Sequence, residues 1–177
     1  MRELTEIRWH ARAGQGAKTA AQILALALLR SGRSVQAFPE YGPERRGAPL
    51  RAYTRFGARR VRRHDSVEQP DLVVVLDDSL LKEASVLEGV TSETTVLVNT
   101  DQTPRLDGAQ VRAVPTARFA AAGGASFANV AMLGAVAAAL GEPPLETLQE
   151  AAIETLGGKV APEDLRGALA EGYAWRS

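Results

Sequence analysis

Residues 71–77, DLVVVLD, decide the fold. Leu72 to Leu76 is an unbroken apolar run too short for a helix, and it lacks the polar alternation of a strand with one wet face. Such a run suits a strand covered on both sides, as in a parallel sheet. Working outward, residues 79–87 are expected as a helix capped by Ser79, and TTVLVNT (94–100) as a second buried strand. QVRAVPT (110–116) follows as another strand. Helices are expected over 126–140, 145–156 and 163–173, with Asn129 a polar exception inside the first. Toward the N-terminus, Thr5 to His10 is strand-like, and Ala20, Ile23, Leu24, Ala27 and Leu28 share one helical face before a stop at Gly32. Val35–Phe38 and Leu50–Phe56 are further strand candidates, and Arg60–Arg63 is expected to pair nearby as a hairpin. The alternation implies an α/β, Rossmann-like three-layer fold with a mainly parallel sheet and a β-rich, arginine-containing insertion. A single domain over residues 1–177 is expected.

Composition narrows the chemistry. The formal net charge is +0, so the whole molecule has no long-range pull on polyanions, and no nucleic-acid partner is expected. With no cysteine, the chain offers no thiolate for a disulfide, a nucleophile or an iron–sulfur cluster. His10 and His64 are the only histidines, too few for a histidine-rich metal site. No apolar stretch approaches the roughly 20 residues that cross a bilayer. The charged start, MRELTEIRWH, lacks the apolar run of a signal peptide, so a cytoplasmic location without membrane contact is expected.

WHARAGQGAKTAAQIL (9–24) runs from strand through a small-residue turn into a helix, where phosphate loops occur. It is not a P-loop, because Ala17 precedes Lys18 and residue 12 is arginine. In dinucleotide register, Ala11 and Ala13 replace the first two glycines, and the second normally admits the pyrophosphate. Arg12 and the helix N-terminus could still meet an anion, or the turn simply packs helix on sheet. Glu40 sits roughly where a ribose-binding acid would, which keeps a free-standing nucleotide-binding regulator in view.

Nine arginines lie between residues 33 and 63, opposed there only by Glu40 and Glu44. Alternation puts Arg51, Tyr53 and Arg55 on one strand face and Leu50, Ala52 and Thr54 on the other. The rigid guanidinium fork suits phosphate or carboxylate, and an acidic neighbour or a polyanionic cofactor fits this concentration best. FPEYGPERRGAPLRA (38–52) describes a rigid charged loop at a strand end, where α/β proteins meet ligands. Asp77 and Asp78 are neighbours on opposite faces, so helix entry suits them better than metal binding. His10 is expected to be a packed strand-end residue.

Together, WHARAGQGAKTAAQIL and QAFPEYGPERRGAPLRAYTRF resemble the gamma subunit or domain of 2-oxoacid:ferredoxin oxidoreductases, with pyruvate:ferredoxin/flavodoxin oxidoreductase the nearest member. The resemblance continues through QPDLVVVLDDSLL and TVLVNT to LRGALAEGYAW. It implies a non-catalytic subunit that scaffolds a complex and helps position coenzyme A. Thiamine diphosphate with its magnesium, and the iron–sulfur clusters, would lie on alpha, beta and delta partners, with ferredoxin as electron acceptor. The complex would decarboxylate a 2-oxoacid oxidatively to an acyl-CoA. The small subunit of indolepyruvate:ferredoxin oxidoreductase shares this domain and is the closest rival. Family members usually carry Gly-Arg-Gly-Gly-Gln-Gly where this chain has residues 11–16. By position, Arg12, Gly14, Gln15 and Gly16 form a candidate cofactor loop, with Asn99 facing the same crevice. Tyr41, Gly42, Pro43, Glu44, Arg45, Arg46 and Gly47 form a partner or cofactor-proximal loop.

Overall fold

The computed structural model describes residues 4–40, 47–63, 65–119 and 127–175. The strands β1 (Leu4–Arg12), β2 (Ser34–Pro39), β3 (Pro49–Gly57), β4 (Leu72–Val75), β5 (Thr95–Val98) and β6 (Gln110–Ala113) form one sheet in the order β2-β3-β1-β4-β5-β6. β1, β4, β5 and β6 pair in parallel. β3 runs antiparallel to both β1 and β2, so β2 has the direction of β1. The chain therefore leaves β1, crosses through α1 (Ala17–Arg30), lays down β2 and returns in β3 to fill the gap. The arginine-rich insertion belongs to the sheet itself. The hairpin expected at Arg60–Arg63 does not form. Those residues make no strand, and the Val61 N–H donates to Ser34 Oγ at 3.0 Å instead of to a ladder.

One face is covered by α1, α3 (Ala128–Leu140), α4 (Leu145–Leu156) and α5 (Pro162–Ala174). Trp9, Val74 and Leu97 from the sheet meet Leu24, Leu133 and Leu148 there, all buried. α3 is apolar all round because its neighbours enclose it. Its approach to α5 depends on missing side chains: a Cβ on Gly172 would lie 1.9 Å from the Ala131 carbonyl oxygen, and one on Gly134 2.2 Å from that of Leu169. The second face is thinner. Val73, Val75, Val96 and Val98 are covered by Leu80 and Val86 from the segment after β4.

That segment corrects the helix expected over 79–87. It is a 3-10 turn, Asp78–Lys82, then a single α-turn, α2 (Ala84–Leu87), separated by extended Glu83. Six residues on a continuous helix would turn Val86 well away from Leu80. The break lets both face the sheet. The cap is Asp77, not Ser79: its carboxylate accepts the Ser79 N–H at 3.1 Å. The helix expected from Ser126 begins at Ala128, and Ser126 itself lies outside the described residues.

Candidate functional site

Arg12, Asp77 and Asn99 stand at or just beyond the carboxyl ends of β1, β4 and β5. The chain between β1 and α1 is tied by Gln15. Its Oε1 accepts the Arg12 N–H at 2.7 Å and its Nε2 donates to Asp77 Oδ2 at 2.8 Å. Asp77 also accepts the Ser79 hydroxyl at 2.5 Å and pairs with Arg12 Nε at 3.4 Å. Burial opposes its ionisation, but the hydrogen bonds from Ser79 and Gln15 outweigh burial and hold the Asp77 carboxyl below its ordinary value. Asp77 thus caps the turn that follows β4. Among the described residues no group of three or more histidine, aspartate or glutamate side chains gathers as a metal site.

Arg12 does not reach into open space. Its guanidinium donates to Ser79 Oγ at 2.7 Å and to the Gly47 carbonyl at 3.1 Å. Beside it the Ala13 N–H donates to the Ala48 carbonyl at 2.8 Å. The turn is thereby tied to the downstream foot of the 40s loop. Residues Tyr41, Gly42, Pro43, Glu44, Arg45 and Arg46 lie outside the described residues; Gly47 is described, at φ 80°. The upstream foot is Glu40, whose carboxylate accepts from Arg51 at 2.8 Å and from the Tyr53 hydroxyl. Burial, then the bond to Glu40, raises the Tyr53 hydroxyl to about 12. Glu40 is therefore committed to Arg51 and Tyr53 rather than offered to a ribose.

Gly14 and Gly16 take φ of 100° and 79°, and among the described residues no non-glycine has positive φ. Ala11 and Ala13 thus occupy ordinary conformations, and the two replacements strain nothing. Ala11 is fully buried. Gly16 is needed twice: a Cβ there would also lie 2.4 Å from Asn129 Nδ2. Asn129, the polar exception in α3, points back at the turn, with Nδ2 3.4 Å from the Gly16 carbonyl oxygen.

Gly14, Gln15, Gly16, Thr19, Asn99 and Asn129 line a cleft of about 540 Å³ on the α1 side of the sheet. That lies within the roughly 300–1,000 Å³ of small-molecule sites. The first turns of α1 and α3 both border it, and among the described residues neither helix has a side-chain N-cap. Their first-turn N–H groups and partial positive charge contribute to its polar side. Asn99 both lines the cleft and closes the strand end, donating to the Leu76 carbonyl at 3.2 Å and accepting from Thr116 Oγ1 at 2.6 Å.

The structure thus brings Gly14, Gln15, Gly16 and Asn99 to one cleft and turns Arg12 from it toward the loop. His10 is packed as expected. Arg8 Nε donates to its Nε2 at 3.0 Å, and burial, aided by the charges of Arg8 and Arg51, lowers it to about 3. The sequence reading passed over Arg8, Glu6 and Thr116. Glu6 stands directly across from Arg55 on β3, so the strand pairing supplies the missing carboxylate.

A mostly parallel sheet, covered on both faces and carrying its candidate residues at the strand ends, defines a Rossmann-like α/β fold. Residues 6–175 match the family described as pyruvate ferredoxin/flavodoxin oxidoreductase. The sequence is 41% identical over 181 residues to pyruvate synthase subunit PorC of Thermotoga maritima, covering 95% of this chain and 92% of that one. It is 42% identical over 173 residues to the pyruvate/ketoisovalerate oxidoreductases common subunit gamma of Thermococcus kodakarensis, covering 93% and 94%. The crystal structure of the Thermotoga maritima pyruvate oxidoreductase subunit PORC superposes with a TM-score of 0.80 at 38% identity, over 97% and 96% of the two chains. The chain belongs to this family, as a gamma subunit of a 2-oxoacid:ferredoxin oxidoreductase complex.

Proposed function

We propose that this subunit serves a complex acting on pyruvate, and that its 540 Å³ cleft receives a phosphate-bearing portion of coenzyme A. The observation that carries the second part is the meeting at one cleft of two helix N-termini, without side-chain caps among the described residues, beside the backbone of Gly14 and Gly16. Anions are favoured where such N–H groups converge. The fit for coenzyme A rests on that polar side together with the apolar wall from Leu76, Phe127 and Leu156. The groups that would run the oxidation do not fit this chain: it has no cysteine to ligate a cluster and no Gly-Asp-Gly thiamine motif. Those belong on alpha, beta and delta partners, with ferredoxin as acceptor. The names of the relatives support pyruvate over indolepyruvate. Arg12, Asp77 and Glu40 act as positioning residues in this reading, fixing the chain at Glu40 and Gly47 on either side of residues 41–46, the segment the resemblance assigns to partner contacts.

Coenzyme A titration of the purified chain, followed calorimetrically, tests the cleft. Thr19→Glu puts a carboxylate in the first turn of α1 and is expected to weaken binding by about tenfold or more. Equal affinity in both proteins would remove the cleft from the proposal. Turnover of the native complex on pyruvate, 2-oxoisovalerate and indolepyruvate tests the substrate, with pyruvate expected to be fastest.

A further inference from the structure

A second cleft, of about 230 Å³, lies on the opposite face of the sheet, and the family assignment gives it no role. His10 lines it and is only 3% exposed. Arg8 Nε can only donate, so the His10 Nε2 that faces it at 3.0 Å must accept. A neutral imidazole accepting at Nε2 carries its proton on Nδ1. That N–H has no partner among the described residues. Arg8 cannot turn to another task, because its Nη atoms donate to the carbonyls of Val67, Val86 and Glu88. A fixed, uncharged donor therefore lines the cleft. Around it stand the Glu40–Arg51 ion pair, Glu83, half-buried Ser85, and apolar Leu50 and Leu80.

This set selects by charge. An anion would meet Glu40 and Glu83 with Arg51 already engaged. A cation would meet, at His10, a fixed donor in place of an acceptor. A group with an acceptor and a donor together, without charge, satisfies both ends. We propose that the cleft binds an amide, its carbonyl oxygen on His10 Nδ1–H and its N–H directed to Glu83 or Ser85. The amide could belong to a partner subunit's chain or to a small molecule, and the two sources share this chemistry.

Imidazole nitrogen NMR tests it on the intact chain, which has only two histidines to assign. His10 is expected to show a proton on Nδ1 and none on Nε2. Propionamide should shift the Nδ1 signal at concentrations about tenfold lower than propionate or propylamine, because each charged analogue leaves a like charge or a donor unmatched. Ser85→Trp, at a half-buried position on α2, should abolish the shift without disturbing His10 tautomerism. A proton on Nε2, no response to propionamide, equal response to the charged analogues, or an unchanged response in Ser85→Trp would each overturn the proposal. Ser85→Cys separates the sources, since it introduces the only thiol in the chain. Propionamide should slow alkylation in the free chain. In the native complex, a protected thiol identifies a partner's amide, and a reactive thiol that propionamide still protects identifies a small molecule. A thiol reactive in both settings and indifferent to propionamide would overturn the site.

Discussion

β1 places two kinds of interior on the two sides of one strand. Its odd residues Ile7, Trp9 and Ala11 enter an apolar layer under the helices and are fully buried. Its even residues Glu6, Arg8 and His10 enter an interior built from ions and hydrogen bonds, shared with Arg51, Tyr53 and Arg55 across the ladder. The first side is held by removing area from water and by close packing. The second has only a short covering segment, and it is held by hydrogen bonds and ion pairs to its buried polar side chains, with Arg55 Nη1 left only a 3.7 Å ion pair to Asp65. Arg8 pins the covering chain to the sheet through the carbonyls of Val67, Val86 and Glu88. Arg55, fully buried, pairs with Glu6 at 2.6 Å and donates to the Asp65 carbonyl at 3.1 Å. An apolar side tolerates changes of shape that keep volume; a polar side fails when one partner is removed.

Substitutions on each side sharpen this contrast. Trp9→Ala should have the largest effect, about 3–5 kcal/mol in urea unfolding, because it empties a fully buried volume and strands the Thr54 hydroxyl that the indole N–H meets at 3.1 Å. Arg55→Ala should cost about 2–3 kcal/mol, less than a wholly enclosed pair because water reaches Glu6 and Asp65. Adding Glu6→Gln to it should recover part of that loss, which a double-mutant cycle measures; simple additivity would deny that the two act as a pair.

His10 makes the polar side sensitive to acid. Its folded value, about 3, lies below the ordinary 6.5, so the unfolded chain binds the extra proton. Its contribution is complete above 6.5 and is lost as pH falls toward 3, at up to about 1.4 kcal/mol per unit. His10→Asn, which does not titrate, should show a shallower fall in stability between pH 6 and 4. Gln15→Ala should cost about 1 kcal/mol through the lost ties to Arg12 and Asp77. Arg30→Ala, at the exposed pair with Glu154, should change stability by no more than about 0.5 kcal/mol.

The alternation in PLRAYTRF was enough to place Arg51, Tyr53 and Arg55 on one face, because strand period depends only on local geometry. It could not say that this face is covered, since the cover comes from residues 65–70 and 80–90, distant in sequence. The same limit hid Arg8 and Glu6, whose partners are set by strand order. The run DLVVVLD revealed a doubly covered strand. It gave no sign that the following segment would break at Glu83 so that Leu80 and Val86 could both face the sheet. Gly14 and Gly16 were legible as a turn, and φ values of 100° and 79° agree. The direction of Arg12 was not, because Gly47 and Ser79 come from other parts of the chain.

The most direct test of the account is anaerobic purification of this chain from its native source, with cofactor analysis of what accompanies it. The account predicts thiamine diphosphate- and iron–sulfur-bearing subunits in fixed ratio, and coenzyme A-dependent oxidation of pyruvate by the assembly. A chain recovered alone and in high yield, with the thiamine and iron–sulfur subunits active in a separate fraction, would contradict it.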